Sequence, residues 1–224
     1  MLSESPERIE ELYLLTGLQE YDSKLTKLKC SVSRVERSVL DDLSRQSNHQ
    51  GVVYSVKKAP DVSIEQLLKR NPSLLLILDE IVDPQNLGSL LRVAEVTGAR
   101  GVIITERRSA PLSPAARRAS AGASEILPLV RVTNLRRTLD ILKEKGFWTV
   151  GTSLQEGSRE IYDFSFPEKT ALVLGSEGSG LRALTASECD FLIKIPMLGK
   201  IDSLNVSQAG AVCLFEYNRQ QRKK

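Results

Sequence analysis

Three stretches of this chain set polar side chains against apolar ones where a short strand ends. They are DEIVDPQNLGSLLR (79–92), GSEGSGL (175–181) and PMLGKIDSLNVS (196–207). Between them they supply the amides of Asn86 and Asn205, the guanidinium of Arg92, the carboxylate of Glu177 and the hydroxyl of Ser203. Amides and hydroxyls hydrogen-bond a polar ligand, and the arginine fork matches phosphate oxygens. In open parallel sheets ligands bind beyond the carboxyl ends of strands, so the three stretches are candidates for one pocket. A helix cap needs one hydrogen-bonding side chain. Ser203 and Asn205, just ahead of the apolar run Val206–Phe215, together with Ser207 at its start, exceed that need. Ser203, Asn205 and the amides at that helix start are therefore expected to face a ligand.

Asn86 and Arg92 lie six apart, which on a helix separates them by about 120°. Asn86 is expected at the cap or in the preceding turn, and Arg92, flanked by Leu91, Val93 and Ala94, is expected to be held at a site. The glycines at 175, 178 and 180 follow G-x-x-G-x-G and not the dinucleotide pattern, and no Walker lysine follows them. They allow close approach to the backbone, and a turn alone does not require Glu177. Other chemistries are poorly served. The sole histidine is His49, no G-x-S-x-G elbow is present, and Cys30, Cys189 and Cys213 lack metal-ligand spacing. His49 is read as a surface or packing residue. No metal site is expected, and the cysteine usage suits a reducing, cytoplasmic compartment.

The elements that must position these residues follow from patterning. Residues 1–56 read as a small α/β unit, in which IEELYLL and KLTKLKCSV give helix- and strand-like fragments and GVVYSV a β-rich run. Residues 57–72 read as a linker with a short helix, its capping box made by Ser63 and Gln66. From residue 73 to 224, strands SLLLILDE, GVIIT, EILPLV, FWTVGTS, TALVLG and FLIKIP alternate with helices. These include NLGSLLRVAEVTGA, a helix capped by Ser113 with Pro114 at its first position, NLRRTLDILKEKG, LTASECD with Thr185 and Glu188 as a capping box, and a last helix over about 203–220. Such alternation predicts an α/β domain with a mostly parallel sheet covered by helices on both faces. No apolar run reaches the ~18 residues a membrane span needs, and the acidic start MLSESPERIEEL is not expected to be a signal or transit peptide.

The net charge is only +3 among 224 residues, yet eight arginines and no lysine fall between Arg100 and Arg137, against Glu106 and Glu125. Arg107, Arg108, Arg117 and Arg118 are the candidates for contact with an RNA backbone; a solvated helical face is the competing reading.

DPQNLGSLLRVAEVTGARGVI, LVLGSEGSGL and IPMLGKIDSLNVSQAGAVCLFE, in this order, resemble the three motifs of the SpoU (TrmH-like) RNA ribose 2′-O-methyltransferases of the SPOUT superfamily. The resemblance covers about 74–220. NHQGVV and RRSAPLSPAARRASAGASEILPLVRVTNL are most similar to the branch that modifies a guanosine of 23S rRNA. It implies a C-terminal deep trefoil knot and S-adenosyl-L-methionine bent within it. The matching cofactor positions are Gly175, Ile195 and Leu204, with Leu174, Glu177, Pro196 and Met197 close by. It places the catalytic arginine on Arg92, motif asparagines on Asn86 and Asn205, and a polar motif position on Ser203. A homodimer acting on rRNA, or on the assembling large subunit, is also implied. Members with an RNA-binding N-terminal unit begin with a GxxxVxxAL-type strand and helix; here that first element is expected to be missing. Two rivals remain: the same chemistry on tRNA, and a catalytically silent RNA-binding or assembly protein.

Overall fold

A computed structural model describes residues 6–26, 28–44, 49–57, 62–176 and 180–222. The chain divides into two compact units, 1–60 and 61–224.

In the first unit β1 (Ile9–Leu15) is the middle strand of three, parallel to β2 (Ser31–Val35) and antiparallel to β3 (Val52–Val56). The stretch IEELYLL is therefore a strand: Leu12 and Leu14 point inward with no exposure, while Glu10 and Glu11 face solvent. Among the described residues the unit also holds the α-helices α1 (Asp22–Leu25) and α2 (Arg37–Ser44) and a 3-10 turn at Pro6–Arg8, and Leu40 of α2 is fully buried. His49 has a structural place here. Its Nδ1 accepts from the Gly51 amide at 3.0 Å, and its Nε2 lies 3.0 Å from Asp41 Oδ1.

The second unit opens with α3 (Ile64–Leu68), whose Ser63–Gln66 capping box forms in both directions. This helix is more than a connector, because Leu67 is fully buried with Leu75 and Ile77. The elements that follow are β4 (Leu74–Leu78), α4 (Pro84–Val96), β5 (Val102–Thr105), α5 (Pro114–Ala119), α6 (Ala123–Ile126) and β6 (Leu129–Val132). Next come α7 (Leu135–Glu144), β7 (Trp148–Thr152), β8 (Arg159–Glu160), β9 (Thr170–Leu174), α8 (Ala183–Ser187), β10 (Phe191–Lys194) and α9 (Val206–Gln221). Glu125 and Ile126, read in sequence as strand, close the short α6 instead, and β8 was not expected.

The described strands of this unit form a seven-stranded sheet in the order β6-β5-β4-β9-β7-β10-β8, and every pairing is parallel. Alternation along β4 and β9 fills both faces. Leu74, Leu76, Leu78, Leu172 and Leu174 pack beneath α4 and α9; Leu75, Ile77, Ala171 and Val173 pack beneath α7 and α8. A continuous apolar run is what such two-sided burial demands.

Helix ends explain several departures. Asp83, not Asn86, caps α4, its carboxylate accepting from the Gln85 amide, with Pro84 in the first turn. Gly98 (φ +78°) ends α4, and the Ala99 amide returns to the Ala94 carbonyl at 2.9 Å. LTASECD has no capping box. Arg182 stands at the cap of α8 without a side-chain bond to the helix amides, the Thr185 hydroxyl donates to Asp79, and Glu188 pairs with Arg136.

Helix contacts are close enough to exclude a methyl group at two glycines. A Cβ on Gly88 would stand 2.3 Å from the Ala116 carbonyl oxygen, which is backbone; one on Gly210 would meet the Leu90 and Leu174 side chains at 2.6 and 2.8 Å. Side-chain ends yield and backbone does not. Gly88→Ala is expected to cost more stability than Gly210→Ala, the latter losing about 1–3 kcal/mol; urea unfolding of both variants checks the order.

Candidate functional site

Parallel pairing collects the carboxyl ends of β4, β7, β9 and β10 along one edge, and a pocket opens there. It is lined by Thr152, Ser153 and Leu154 at and after the end of β7, Gly175, Ser176 and Gly180 after β9, and Ile193, Lys194, Ile195 and Met197 along and after β10. Ser203, Leu204, Val206 and Ala209 close it from the start of α9. Apolar walls with a few hydroxyls and strand-end backbone suit a ligand that joins a flat base to a sugar.

Of the residues expected at a cofactor, Gly175, Ile195, Met197 and Leu204 line this pocket, as does Ser203. Leu174 does not; it is fully buried in the sheet against α9. Pro196 is half-buried between two lining residues without lining the pocket itself. Glu177 lies outside the described residues. Gly175 serves the chain's own packing: a Cβ there would stand 2.2 Å from the Gly180 carbonyl and 2.3 Å from the Leu181 nitrogen. Ser176 and Gly180 bridge, the Gly180 amide donating to the Ser176 carbonyl at 3.0 Å.

The two asparagines meet. Asn205 Nδ2 donates to Asn86 Oδ1 at 3.0 Å, while Asn205 Oδ1 accepts from the Ser207 amide at 2.8 Å and its hydroxyl at 2.6 Å. Asn205 thus caps α9, which starts at Val206 and not at Ser203, and ties that start to the first turn of α4. Two helix N-termini brought together favour negative charge between them. Asn86 is buried, whereas Arg92, on another side of α4, is exposed and has no hydrogen-bond or ion-pair partner among the described residues. The expectation that Arg92 is held in place is not met within one chain.

The arginine cluster divides in the same way. Arg117 is bound to Glu125, and Arg108 lies 3.7 Å from Glu80, whereas Arg107 and Arg118 are exposed without an ion-pair partner among the described residues. Patterning did not reveal the cluster around the buried carboxylate of Asp79. Asp79, 1% exposed, accepts from Arg182 Nη2 at 2.7 Å and Nε at 3.1 Å and from the Thr185 hydroxyl at 2.7 Å. That hydrogen bond to Asp79 holds the Arg182 guanidinium above its ordinary pKa. Thr152–Leu154 were also missed, although the strand-end rule that singled out the other loops applies equally to FWTVGTS. No cluster fit to hold a metal ion exists among the described residues, and none of their helices is long and apolar enough to cross a membrane.

The fold and pocket define an α/β protein that binds a small organic ligand at the carboxyl edge of a parallel sheet. The chain belongs to the SpoU rRNA Methylase family, which matches residues 73–215; residues 1–62 match the RNA 2′-O ribose methyltransferase substrate binding family. It is 42% identical over 230 residues to the 23S rRNA (guanosine-2′-O-)-methyltransferase RlmB of Vibrio vulnificus, covering 99% of this chain and 93% of that protein. The RlmB of Haemophilus influenzae is 44% identical over 232 residues, with 99% and 94% covered. Among solved structures, the SpoU methyltransferase AviRb from Streptomyces viridochromogenes, in complex with AdoMet, is similar at a TM-score of 0.84 and 25% identity, covering all of this chain and 87% of that one.

The two tasks of Asn205 can be separated. Asn205→Asp keeps the acceptor for Ser207 and is expected to hold stability within about 0.5 kcal/mol, whereas Asn205→Ala loses the cap, worth about 1 kcal/mol. Thermal unfolding of the two variants reads the difference.

Proposed function

We propose that this protein transfers the methyl group of S-adenosyl-L-methionine to the ribose 2′-hydroxyl of a guanosine in 23S rRNA. The observation that carries the reading is the convergence of all three motif loops on one strand-end edge, in a chain alike over its length to the RlmB enzymes. The pocket fits the cofactor: Leu154, Ile193, Ile195, Met197 and Val206 offer apolar walls for a base, and Thr152, Ser153, Ser176 and Ser203 offer hydroxyls for a sugar. When bound, S-adenosyl-L-methionine supplies a methyl carbon on a positively charged sulfur, open to in-line attack by the ribose oxygen. The chain's task is then to fix that oxygen in line and to favour loss of its proton.

Asn86 and Asn205, joined to each other, position the ribose beside two helix starts whose dipoles favour the oxygen as it gains negative charge. Glu177 is assigned to the same positioning. Arg92 is assigned the target phosphate and the developing alkoxide, because a guanidinium offers several N–H donors and no acceptor. Arg92 and Val96, one turn apart on α4, are both exposed, which supports a homodimer in which the site is completed by a second copy. The late strands β9 and β10 each insert between earlier ones, which supports a deep trefoil knot. Residues 1–56 are assigned to RNA binding, a reading that the match to a substrate-binding family supports.

The wild-type protein with labelled S-adenosyl-L-methionine is expected to label protein-free 23S rRNA at one guanosine ribose and to leave tRNA unlabelled; labelling of tRNA alone would move the substrate to that class. Arg92→Lys is expected to lower turnover at saturating RNA about 10²-fold, and near-wild-type turnover would remove Arg92 from its role. Arg107→Gln and Arg118→Gln should each weaken RNA binding and flatten its salt dependence by about one contact. Arg117→Gln, which breaks the pair with Glu125, should lower stability instead.

A further inference from the structure

The wall of the pocket contributed by Gly180 is held from outside the pocket. Asp79 follows the last residue of β4, and its amide donates to the Leu174 carbonyl at 2.9 Å, so it stands beside the point where β9 gives way to Gly175. A carboxylate with 1% exposure is stable only when its oxygens are fully engaged. Here both are, and every side-chain partner comes from more than a hundred residues later in the chain: Arg182 in a two-pronged contact and Thr185. The remaining guanidinium nitrogen of Arg182 meets Glu80 at 3.1 Å. A planar fork gripped on both sides fixes direction as well as distance.

The grip acts on a segment with almost no slack. Leu181, between Gly180 and Arg182, is buried in the core under α7 and α8. The Gly180–Leu181 backbone passes so near Gly175 that no Cβ fits between them, and Gly175 and Gly180 both line the pocket. A few tenths of an ångström lost at Arg182 would therefore be passed to the pocket wall.

We propose that Asp79 is a positioning residue for the cofactor: by holding Arg182 and Thr185 it sets where Gly180 stands opposite Gly175. This rests on the methyl-transfer reading above. Tests use the full chain with S-adenosyl-L-methionine as the probe, by calorimetry and by steady-state methylation of 23S rRNA. Asp79→Asn is expected to raise Kd and KM for the cofactor about 10-fold, with kcat at saturating cofactor within about 2-fold of wild type. Arg182→Lys, which keeps charge but not the fork, should fall between. Asp190→Asn removes the Lys143–Asp190 pair away from the pocket and controls for lost stability; it should leave KM unchanged. Hydrogen exchange of the unliganded protein gives a second reading: amides within 181–187 should exchange faster in Asp79→Asn, and those of 102–105 should not. An unchanged KM with a melting temperature lowered as in Asp190→Asn, or unchanged exchange in 181–187, overturns the proposal. If the wild type fails to bind S-adenosyl-L-methionine, the methyl-transfer reading falls instead, and the exchange comparison alone decides whether Asp79 sets this wall.

Discussion

Neither β4 nor β9 has a face in contact with water, and the site follows from that constraint. Their side chains alternate between two helix layers, so a one-residue slip would exchange the layers and misfit both. Parallel pairing adds a direction, because the chain leaves both strands at the same edge. Apart from Thr170, whose hydroxyl is satisfied by the Pro167 carbonyl at the start of β9, polar side chains gather where these two strands stop. Asp79, Ser176 and the Gly175–Gly180 contact all lie within a few residues of such an end.

The parts of this arrangement visible in the amino-acid sequence are those with local causes. Five apolar residues from Leu74 to Leu78 specify a strand covered twice, and Ser63 and Ser113 sit beside the amides they cap. Thr185 and Glu188 have the spacing of a cap but not its bonds, because a carboxylate 106 residues earlier takes the hydroxyl. The same holds for Gly175. Its lack of a side chain suggests close approach, but only the fold reveals that the approaching group is the chain's own Gly180–Leu181 backbone. Strand β8, with two residues, is too short to carry any period.

For the site, residue types were more legible than roles. Asn86 and Asn205 stood out as polar groups at helix starts, yet their bond to each other spans 119 positions and has no local signature. Asn205 resolves the excess of polar residues before α9: one side chain caps its own helix and reaches another, and Ser203 is left to the pocket. Arg117 and Arg118 are neighbours of identical type. A helix turns them to different surroundings, so one is spent on Glu125 and the other faces solvent.

The brevity of β8 has a consequence for solution behaviour. A seven-stranded sheet has two outer strands, and an outer strand invites a foreign strand to add to it. Here one border is closed by only Arg159 and Glu160, both exposed and of opposite charge, and the other carries the exposed Arg131 within four residues. A visiting chain would find two rungs on one side and a cation on the other. Short, charged borders offer a foreign strand few backbone groups to pair with.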